Sequence, residues 1–231
     1  MRRLGDALKQ VVGEAYEAEA GAALRSVLMN ANRRRAFEHV AWHPCCTAGG
    51  VARALGVRDP TAAWHLRKLA DAGYVQEARL PRGRVYHAAG LGLEPADVVT
   101  LAALAEPGAA EALAVTLATP GLTASELAAK LERTSARRPL RAMLAAGLVV
   151  AVADGRYRRY YPGTVVAAIE RSAPKRLRDF RRRLLRKMEW DRLSPEVRSA
   201  PGDAVEVDVR FGDERATLRL PAGSLLSGHL A

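Results

Sequence analysis

A repeated order of short elements most restricts how this chain of 231 residues can fold. Thr47 to Leu55 aligns with Thr123 to Leu131 at a shift of 76 residues, and Leu66 to Gly73 aligns with Leu140 to Gly147 at a shift of 74. Each copy reads as a threonine-capped helix, a turn, a second helix ending in Ala-Gly, and two short strands. The repeat therefore predicts two helix-turn-helix units, each followed by a hairpin.

The first copy is predicted to hold three helices. Pro44 stops a helix that begins near residue 31, and Thr47 caps a second helix that Gly56 closes in a left-handed conformation. Asp59 is expected to cap the third helix, with Pro60 at its first position.

A hairpin follows the third helix in each copy. In the first copy, strands over 74–80 and 84–88 are joined by Pro81-Arg82-Gly83, which contains both strong turn formers. In the second copy, an Asp-Gly turn joins two strands, and the second strand lies in GRYRRYYP. Each hairpin is expected to form a wing beside its helices.

The composition supports a helix-rich fold. Aromatic residues are only 5% of the chain while hydrophobic residues reach 49%, which favours helices packed through small side chains over an aromatic-rich sandwich. We expect a mainly α fold with small β-hairpin wings, a tandem winged helix-turn-helix. The expected parts are an N-terminal helical segment at 1–30, a first winged unit at 31–90, a second at 91–163, a basic amphipathic helix at 164–195 and a C-terminal β-hairpin at 202–222.

Positive charge is concentrated in two segments. The formal net charge is +11: residues 31–90 carry +6 and residues 155–187 carry +10, while the rest of the chain carries −5. Most of the cations are arginines, whose planar fork suits phosphates and guanine edges. This charge favours a polyanionic partner, with nucleic acid as the first candidate.

The third helix of the first copy has the features of a helix that enters a major groove. Ala62, Leu66 and Leu69 are expected to face the core, so that other side chains face outward. Such a helix needs small residues near its start, a hydroxyl for phosphate, and cations that reach base edges. The candidate DNA contacts on it are Thr61, Ala63, Trp64, Arg67 and Lys68. An amphipathic helix with a solvated basic face is the alternative.

Three arginines, Arg79, Arg82 and Arg84, border the first hairpin turn, where a wing would touch the DNA backbone or minor groove. Here DPTAAWHLRKLADAGYVQEARLPRGRVYH, with NRRRAFEHV upstream, resembles the ArsR-type and MarR-like winged helix-turn-helix regulators. The tandem arrangement is most similar to archaeal regulators of that kind. The resemblance implies sequence-directed DNA binding through the third helix, usually by a dimer.

The second copy departs from this pattern because Pro139 stands where the first copy has His65. Proline inside a helix costs about 3 kcal/mol unless it lies in the first turn. Either this helix begins near Arg137 or it is distorted. Its candidate phosphate contacts are Arg137, Arg138 and Arg141, and packing against the rest of the protein is the alternative role.

The densest positive charge follows the second copy. The second wing contributes Arg156, Arg158 and Arg159, interleaved with tyrosines. A helix is expected from Pro174 to about Leu193, with Leu177, Phe180, Leu184 and Met188 on one apolar stripe and cations around it. The candidate phosphate contacts on this helix are Arg182 and Arg183. A solvated helix is the alternative, and a membrane-surface helix is a lesser one.

His39, His43, Cys45 and Cys46 lie within eight residues and are the candidates for a soft-metal or redox site. Adjacent cysteines point in different directions and are poorly placed for a disulfide or for tetrahedral zinc, so we expect a packed thiol and no metal or cofactor. The absence of a disulfide framework and of a long apolar run favours a cytoplasmic protein without a membrane partner.

The tail AVEVDVRFGDERATLRL predicts a hairpin with a Gly212-Asp213 turn. Its register would place Val209 opposite Ala216 and Val207 opposite Leu218, all on one apolar side. An isolated hairpin is only marginally stable, so this side must pack on a partner subunit, the preceding helix or a ligand.

These observations favour a transcriptional regulator that binds double-stranded DNA as a homodimer in the cytoplasm, at the nucleoid. Within DNA binding, the alternative is a nucleoid-associated protein with little sequence preference. A third possibility is a protein-interaction scaffold resembling the tandem winged-helix subunits of chromosome-condensing complexes. No Walker loop, dinucleotide fingerprint, HExxH helix or nucleophile elbow occurs, so we do not expect an enzyme.

Overall fold

The computed structural model describes residues 27–230, so most of the N-terminal helical segment expected at 1–30 lies outside the described residues. Val27–Met29 form a 3-10 turn. Of the described residues, 51% are helical and 24% lie in strands, in small antiparallel sheets. The protein is therefore mixed α/β, with more strand than the mainly α expectation, because the C-terminal region adds a sheet of its own.

The first helix–hairpin unit begins with α1 (Ala31–Trp42), α2 (Ala48–Leu55) and α3 (Asp59–Asp71), followed by the strands β1 (Val75–Leu80) and β2 (Gly83–Ala88). Thr47 caps α2 through its side chain, and Gly56 closes it with φ 69°, as expected. The cap of α3 differs from expectation. Arg58 is its N-cap residue and makes no side-chain capping bond, while Asp59 is already helical and favours the positive end of the helix dipole.

The second unit repeats this order of elements. It contains α4 (Pro95–Ala102) with a 3-10 extension (Ala103–Ala105), α5 (Ala109–Ala118), α6 (Ala124–Lys130), α7 (Arg137–Ala145), β3 (Val149–Asp154) and β4 (Tyr157–Pro162). An isolated bridge pairs Cys46 with Tyr86 in the first unit, and Leu122 with Tyr160 in the second. The two bridges are related by the same shifts of 76 and 74 residues that the sequence repeat has, so the repeat is structural as well as sequential.

Pro139 does not distort α7. The helix begins at Arg137, which puts Pro139 in its first turn, where the missing N–H has no intrahelical partner to lose. The first of the two sequence alternatives for this helix is therefore correct.

A long helix, α8 (Thr164–Trp190), follows the second unit. Its start agrees with the basic amphipathic segment expected at 164–195 but lies ten residues before Pro174, where the apolar stripe was expected to begin, so Pro174 lies inside the helix. It ends before Leu193, because Ser194 and Pro195 already belong to a strand. The expected apolar stripe is buried along the helix and extends toward its start through Val166, Ile169 and Ala173.

The C-terminal region forms a three-stranded antiparallel sheet, β5 (Ser194–Ser199), β6 (Ala204–Phe211) and β7 (Glu214–Pro221), before the short helix α9 (Ser227–Leu230). The register of β6 and β7 confirms the expected pairs. The third strand, β5, was not expected, because SPEVRS has only one apolar side chain that could indicate burial, which is too few to predict a half-buried strand.

Strand β7, at the edge of this sheet, contacts α1, which none of the sequence alternatives named. The Trp42 indole N–H donates to the carbonyl oxygen of Arg219 at 2.8 Å, and the backbone N–H of Arg219 donates to Glu38 at 2.7 Å. Buried side chains from both units, α8 and the sheet form one continuous core.

Membrane crossing has no support in a single helix of residues 27–230. The helices at 95–105 and 109–118 are long and apolar enough only when taken together, and a bend of 96° separates them.

Gly163, at the junction between β4 and α8, lies very close to the backbone of Gly147 and Leu148. Its N–H donates to the carbonyl oxygen of Leu148 at 2.8 Å, and a Cβ at this position would overlap the backbone carbonyl of Gly147. We expect Gly163→Ala to lower the free energy of unfolding by roughly 1–3 kcal/mol, because two backbone segments must separate. Chemical denaturation measures the change.

The matched control for Gly163→Ala is Gly50→Ala in α2. A Cβ there meets nothing closer than 3.6 Å, so this variant should be neutral or more stable. Equal destabilisation of both variants would contradict the close approach at Gly163.

Candidate nucleic-acid interface

Helix α3 presents an outer face made of the residues that the sequence singled out. Its inner face buries Ala62, His65, Leu66 and Leu69. Trp64, Arg67 and Lys68 are exposed, while Thr61 and Ala63 are half-buried. The helix spacing produces this division, because a buried stripe at i, i+3, i+4 and i+7 leaves the remaining positions on the solvent side.

The exposed Trp64 is an unusual surface residue, with 46% of its area accessible. The Arg33 guanidinium of α1 lies 6.0 Å from the centre of its ring. The neighbouring His65 is buried, and burial and Arg33 lower the pKa of its imidazole. The exposed positive charge of α3 comes from Arg67 and Lys68.

The first hairpin carries three exposed arginines in different surroundings. Arg79 and Arg84 are directly opposite each other across the strands, and like charges at such positions repel. Arg84 approaches Glu77 at 3.4 Å, and Arg82 at the turn pairs with Glu106 at 2.8 Å. The facing pair of arginines creates a place where an anion would relieve repulsion.

The second unit exposes Arg137, Arg138 and Arg141 on α7. Arg138 pairs with Glu106 at 3.1 Å, so this carboxylate is shared between α7 and the first hairpin turn. The Glu106 side chain is only 17% exposed. The sequence had no signal for Glu106, because the two arginines that it joins are far apart in the chain.

The second hairpin exposes Arg156 and Arg158, while Arg159 is half-buried. Arg159 pairs with Asp154 at 2.5 Å and donates to the carbonyl oxygen of Gly121, while Arg156 lies over the ring of Tyr157. Val150 and Val152 of β3 are also exposed. This hairpin therefore presents apolar as well as cationic side chains.

Helix α8 divides its cations between two faces. On one flank, Arg183 donates to the carbonyl oxygen of Gly90, just after the first hairpin, at 2.7 Å, and Arg176 pairs with Asp97 of α4 at 2.6 Å. Arg183, a candidate phosphate contact, is thus engaged within the chain in this structure. Arg182, the other candidate on this helix, is exposed and pairs with the nearby Asp179.

The outer face of α8 carries a row of exposed cations that the sequence reading found only in part. We call it the outer row: Arg171, Lys175, Arg178, Arg182 and Arg186. Steps of three or four residues keep the row on one side of the helix over about 22 Å. The helical spacing of these cations is visible in the sequence, but a helix expected to begin at Pro174 does not include Arg171.

The histidine and cysteine candidates lie at the end of α1 and pack together. The rings of His39 and His43 stack at 4.1 Å, and His229 of α9 meets His43 edge-on at 5.4 Å. Cys45 and Cys46 are buried, and burial raises the pKa of the Cys45 thiol to about 12 and that of Cys46 further. Within residues 27–230, no three His, Cys, Asp or Glu side chains are grouped so as to hold a metal ion.

The histidine cluster predicts loss of stability in mild acid. Burial, with His43 nearby, lowers the pKa of both His39 and His229 to about 4, whereas an unfolded histidine has 6.5. The unfolded chain thus binds more protons between pH 6.5 and 4, so the free energy of unfolding should fall as pH decreases through this range. Denaturant titrations at several pH values measure this slope.

The variant His229→Gln isolates the contribution of this cluster. It removes one titrating ring and can still donate to the carbonyl oxygen of Pro44, which His229 meets at 3.2 Å. We expect a shallower pH dependence than in the original protein. An unchanged slope would show that the cluster does not carry it.

No protein-family model matches the sequence, and no curated protein matches it either.

Proposed function

We propose that this protein is a tandem winged helix-turn-helix regulator of transcription that binds double-stranded DNA. In this proposal α3 enters a major groove and the first hairpin contacts the adjacent backbone. The observation that carries it is the outer face of α3, where Trp64, Arg67 and Lys68 are exposed on a helix that α2 and a short turn precede. A helix that follows another after a short turn is the element that helix-turn-helix proteins place in the major groove.

The free cations of α3 support the same function. The ion pairs formed within residues 27–230 leave both Arg67 and Lys68 without an acidic partner. An unpaired arginine can donate to a base edge without first breaking an internal salt bridge. The neighbouring pair Arg79 and Arg84 suits a phosphate, whose charge would relieve their repulsion.

The proposal includes a homodimer in the cytoplasm, bound at two half-sites, with no enzymatic activity and no membrane partner. Two-fold symmetry would present two copies of α3 to successive major grooves of one duplex, about 34–36 Å apart. Such a dimer should select a two-fold symmetric sequence.

The experiment that tests the function selects DNA from a randomised duplex pool with the purified protein at two salt concentrations. Recovery of a sequence motif would support a sequence-specific regulator, and a two-fold motif would support the dimer. Retention of DNA without a motif, or no retention at low salt, would overturn the proposal.

We expect α3 to contact bases and α8 to contact phosphates, so variants in the two helices should change DNA affinity in different ways. Arg67→Ala should weaken binding of the selected sequence by roughly 1–3 kcal/mol and relax its preference at one position, because a base contact is lost. Arg182→Ala should weaken all duplexes equally and reduce the salt slope by about 1, because a phosphate contact is lost.

Fluorescence anisotropy with the selected duplex and a scrambled duplex, over a range of salt, separates the two outcomes. Arg215→Gln, an exposed arginine of the C-terminal sheet, is the control and should change neither quantity. Identical effects of Arg67→Ala and Arg182→Ala on sequence preference and salt slope would contradict separate roles for α3 and α8.

Two other functions each have one observation in their favour. The outer row of α8 favours a nucleoid-associated protein that coats DNA with little sequence preference, since a row of cations tracks phosphates without reading bases. Exposed Val150, Val152 and Tyr157 on the second hairpin favour a protein-interaction scaffold. Retention without a motif would favour the first, and no retention the second.

A further inference from the structure

A cavity of about 300 Å³ lies between the two helix–hairpin units. The first hairpin forms one wall, α4 with its 3-10 extension forms another, and the last turn of α7 forms a third. The space is partly open to solvent, and small-molecule sites have volumes of roughly 300–1,000 Å³. The cavity is therefore large enough for a small ligand.

Small side chains keep this space open. Ala102 and Ala103 face it from the α4 side, and Ala142, Ala145 and Ala146 face it from α7, with Leu80 and Val99 completing an apolar lining. Alanine fills little volume, so the helices and the hairpin approach each other without closing the gap. The walls suit an apolar body such as an aromatic ring or a short aliphatic chain.

The charged groups at the cavity leave a positive excess. Arg82, Arg84 and Glu106 all line it. Glu106 already accepts from Arg82 and from Arg138 outside the lining, so its charge is more than neutralised. Arg84 has only the longer approach to Glu77 at 3.4 Å, and its side chain is 55% exposed. Arg84 is thus the cation that is available to an anion in the cavity.

We propose that this cavity binds a small apolar molecule with a single acidic group, whose anion pairs with Arg84 while its apolar body contacts the alanine walls. A carboxylate or sulfonate matches the planar guanidinium with two parallel hydrogen bonds. Because the walls come from both units, an occupied site holds the first hairpin in a fixed position relative to α7. The site shares Arg84 with the phosphate contact proposed for the first hairpin, but its apolar walls are formed without DNA.

The probe for this site is 8-anilinonaphthalene-1-sulfonate, an aromatic anion that fluoresces in apolar surroundings. We expect the folded protein to bind it at one saturable site per chain. Ala103→Phe, which fills the cavity, should weaken binding by about tenfold or more, and Arg84→Gln, which removes the anion partner, by about fivefold or more.

Matched controls make the same chemical changes away from the cavity. Ala153→Phe lies on the exposed second hairpin and Arg215→Gln on the C-terminal sheet, and both should bind the probe as the original protein does. Arg84 is exposed, so Arg84→Gln remains informative if Ala103→Phe fails to fold. Unchanged binding by Arg84→Gln, or equal weakening by the controls, would overturn the proposal.

The failure of this inference is distinguishable from failure of the DNA-binding proposal, because the titration contains no DNA. Competition by benzoate and by decanoate then distinguishes aromatic from aliphatic ligands. Displacement of the probe by either carboxylate supports the proposed class. Displacement by neither would overturn it.

Discussion

Phe180→Ala should lower the free energy of unfolding by about 3–5 kcal/mol, the usual cost of removing a buried phenyl ring. Phe180 lies at the middle of α8 and is only 1% exposed. Its neighbours on the buried stripe, Leu177 and Leu184, hold the helix against the common core, so alanine leaves a cavity that the rigid surroundings close only in part. Denaturant unfolding monitored by circular dichroism measures the loss.

The control for this variant is Arg178→Ala on the same helix. Arg178 belongs to the outer row and is exposed, so its replacement should change stability by less than about 0.5 kcal/mol. A loss below about 1 kcal/mol for Phe180→Ala would contradict the docking of α8 on the core.

Asp191→Ala should lower the free energy of unfolding by about 2–3 kcal/mol. Asp191 is buried at the end of α8, where the Tyr74 hydroxyl donates to it at 2.7 Å and the Lys187 ammonium at 2.5 Å. Burial and this carboxylate raise the pKa of Tyr74, so the hydroxyl stays protonated as the donor. Without Asp191, a buried hydroxyl and a partly buried ammonium both lose their acceptor.

Two further variants test the origin of that loss. Tyr74→Phe keeps the ring and removes only the donor, so it should cost about 1 kcal/mol. Asp71→Ala removes an exposed carboxylate at the end of α3 and should have little effect. If Asp191→Ala lowers the free energy of unfolding no more than Asp71→Ala does, the hydrogen bond from Tyr74 of the first unit to Asp191 of α8 does not contribute to stability.

The same link connects the stability of α8 with the proposed DNA contacts. Tyr74 follows α3 by three residues, and Gly90, the acceptor of Arg183, follows β2 by two. Helix α8 therefore holds both the end of α3 and the base of the first hairpin. Under the proposed function, a variant that releases α8 should also weaken DNA binding, although no residue at the interface has changed.

The local elements were largely predictable because their signals lie within a few residues. Thr47 and Thr123 cap α2 and α6 through bonds to backbone groups three residues ahead, and the turn of the C-terminal hairpin fixed the register of β6 and β7. Helical periodicity alone predicted that Trp64, Arg67 and Lys68 of α3 face outward, and they are exposed, while Thr61 and Ala63 are half-buried.

Errors arose where a local rule met a stronger tertiary constraint. Pro174 usually marks a helix start, yet here it lies within α8, because the stripe from Val166 to Met188 buries enough surface to hold the helix through it. Strand β5 has mostly exposed side chains and forms through pairing with β6. Neither outcome is visible in a short window of sequence.

The sequence by itself determined the repeated units, their caps and turns, and which side chains of α3 face outward, because these depend on interactions between residues close in the chain. The tertiary structure alone decided that the C-terminal sheet contacts α1, that Glu106 joins Arg82 to Arg138, and that the first hairpin and the alanines of the second unit line one pocket. These contacts join residues far apart in sequence, and their formation depends on how whole helices and sheets pack.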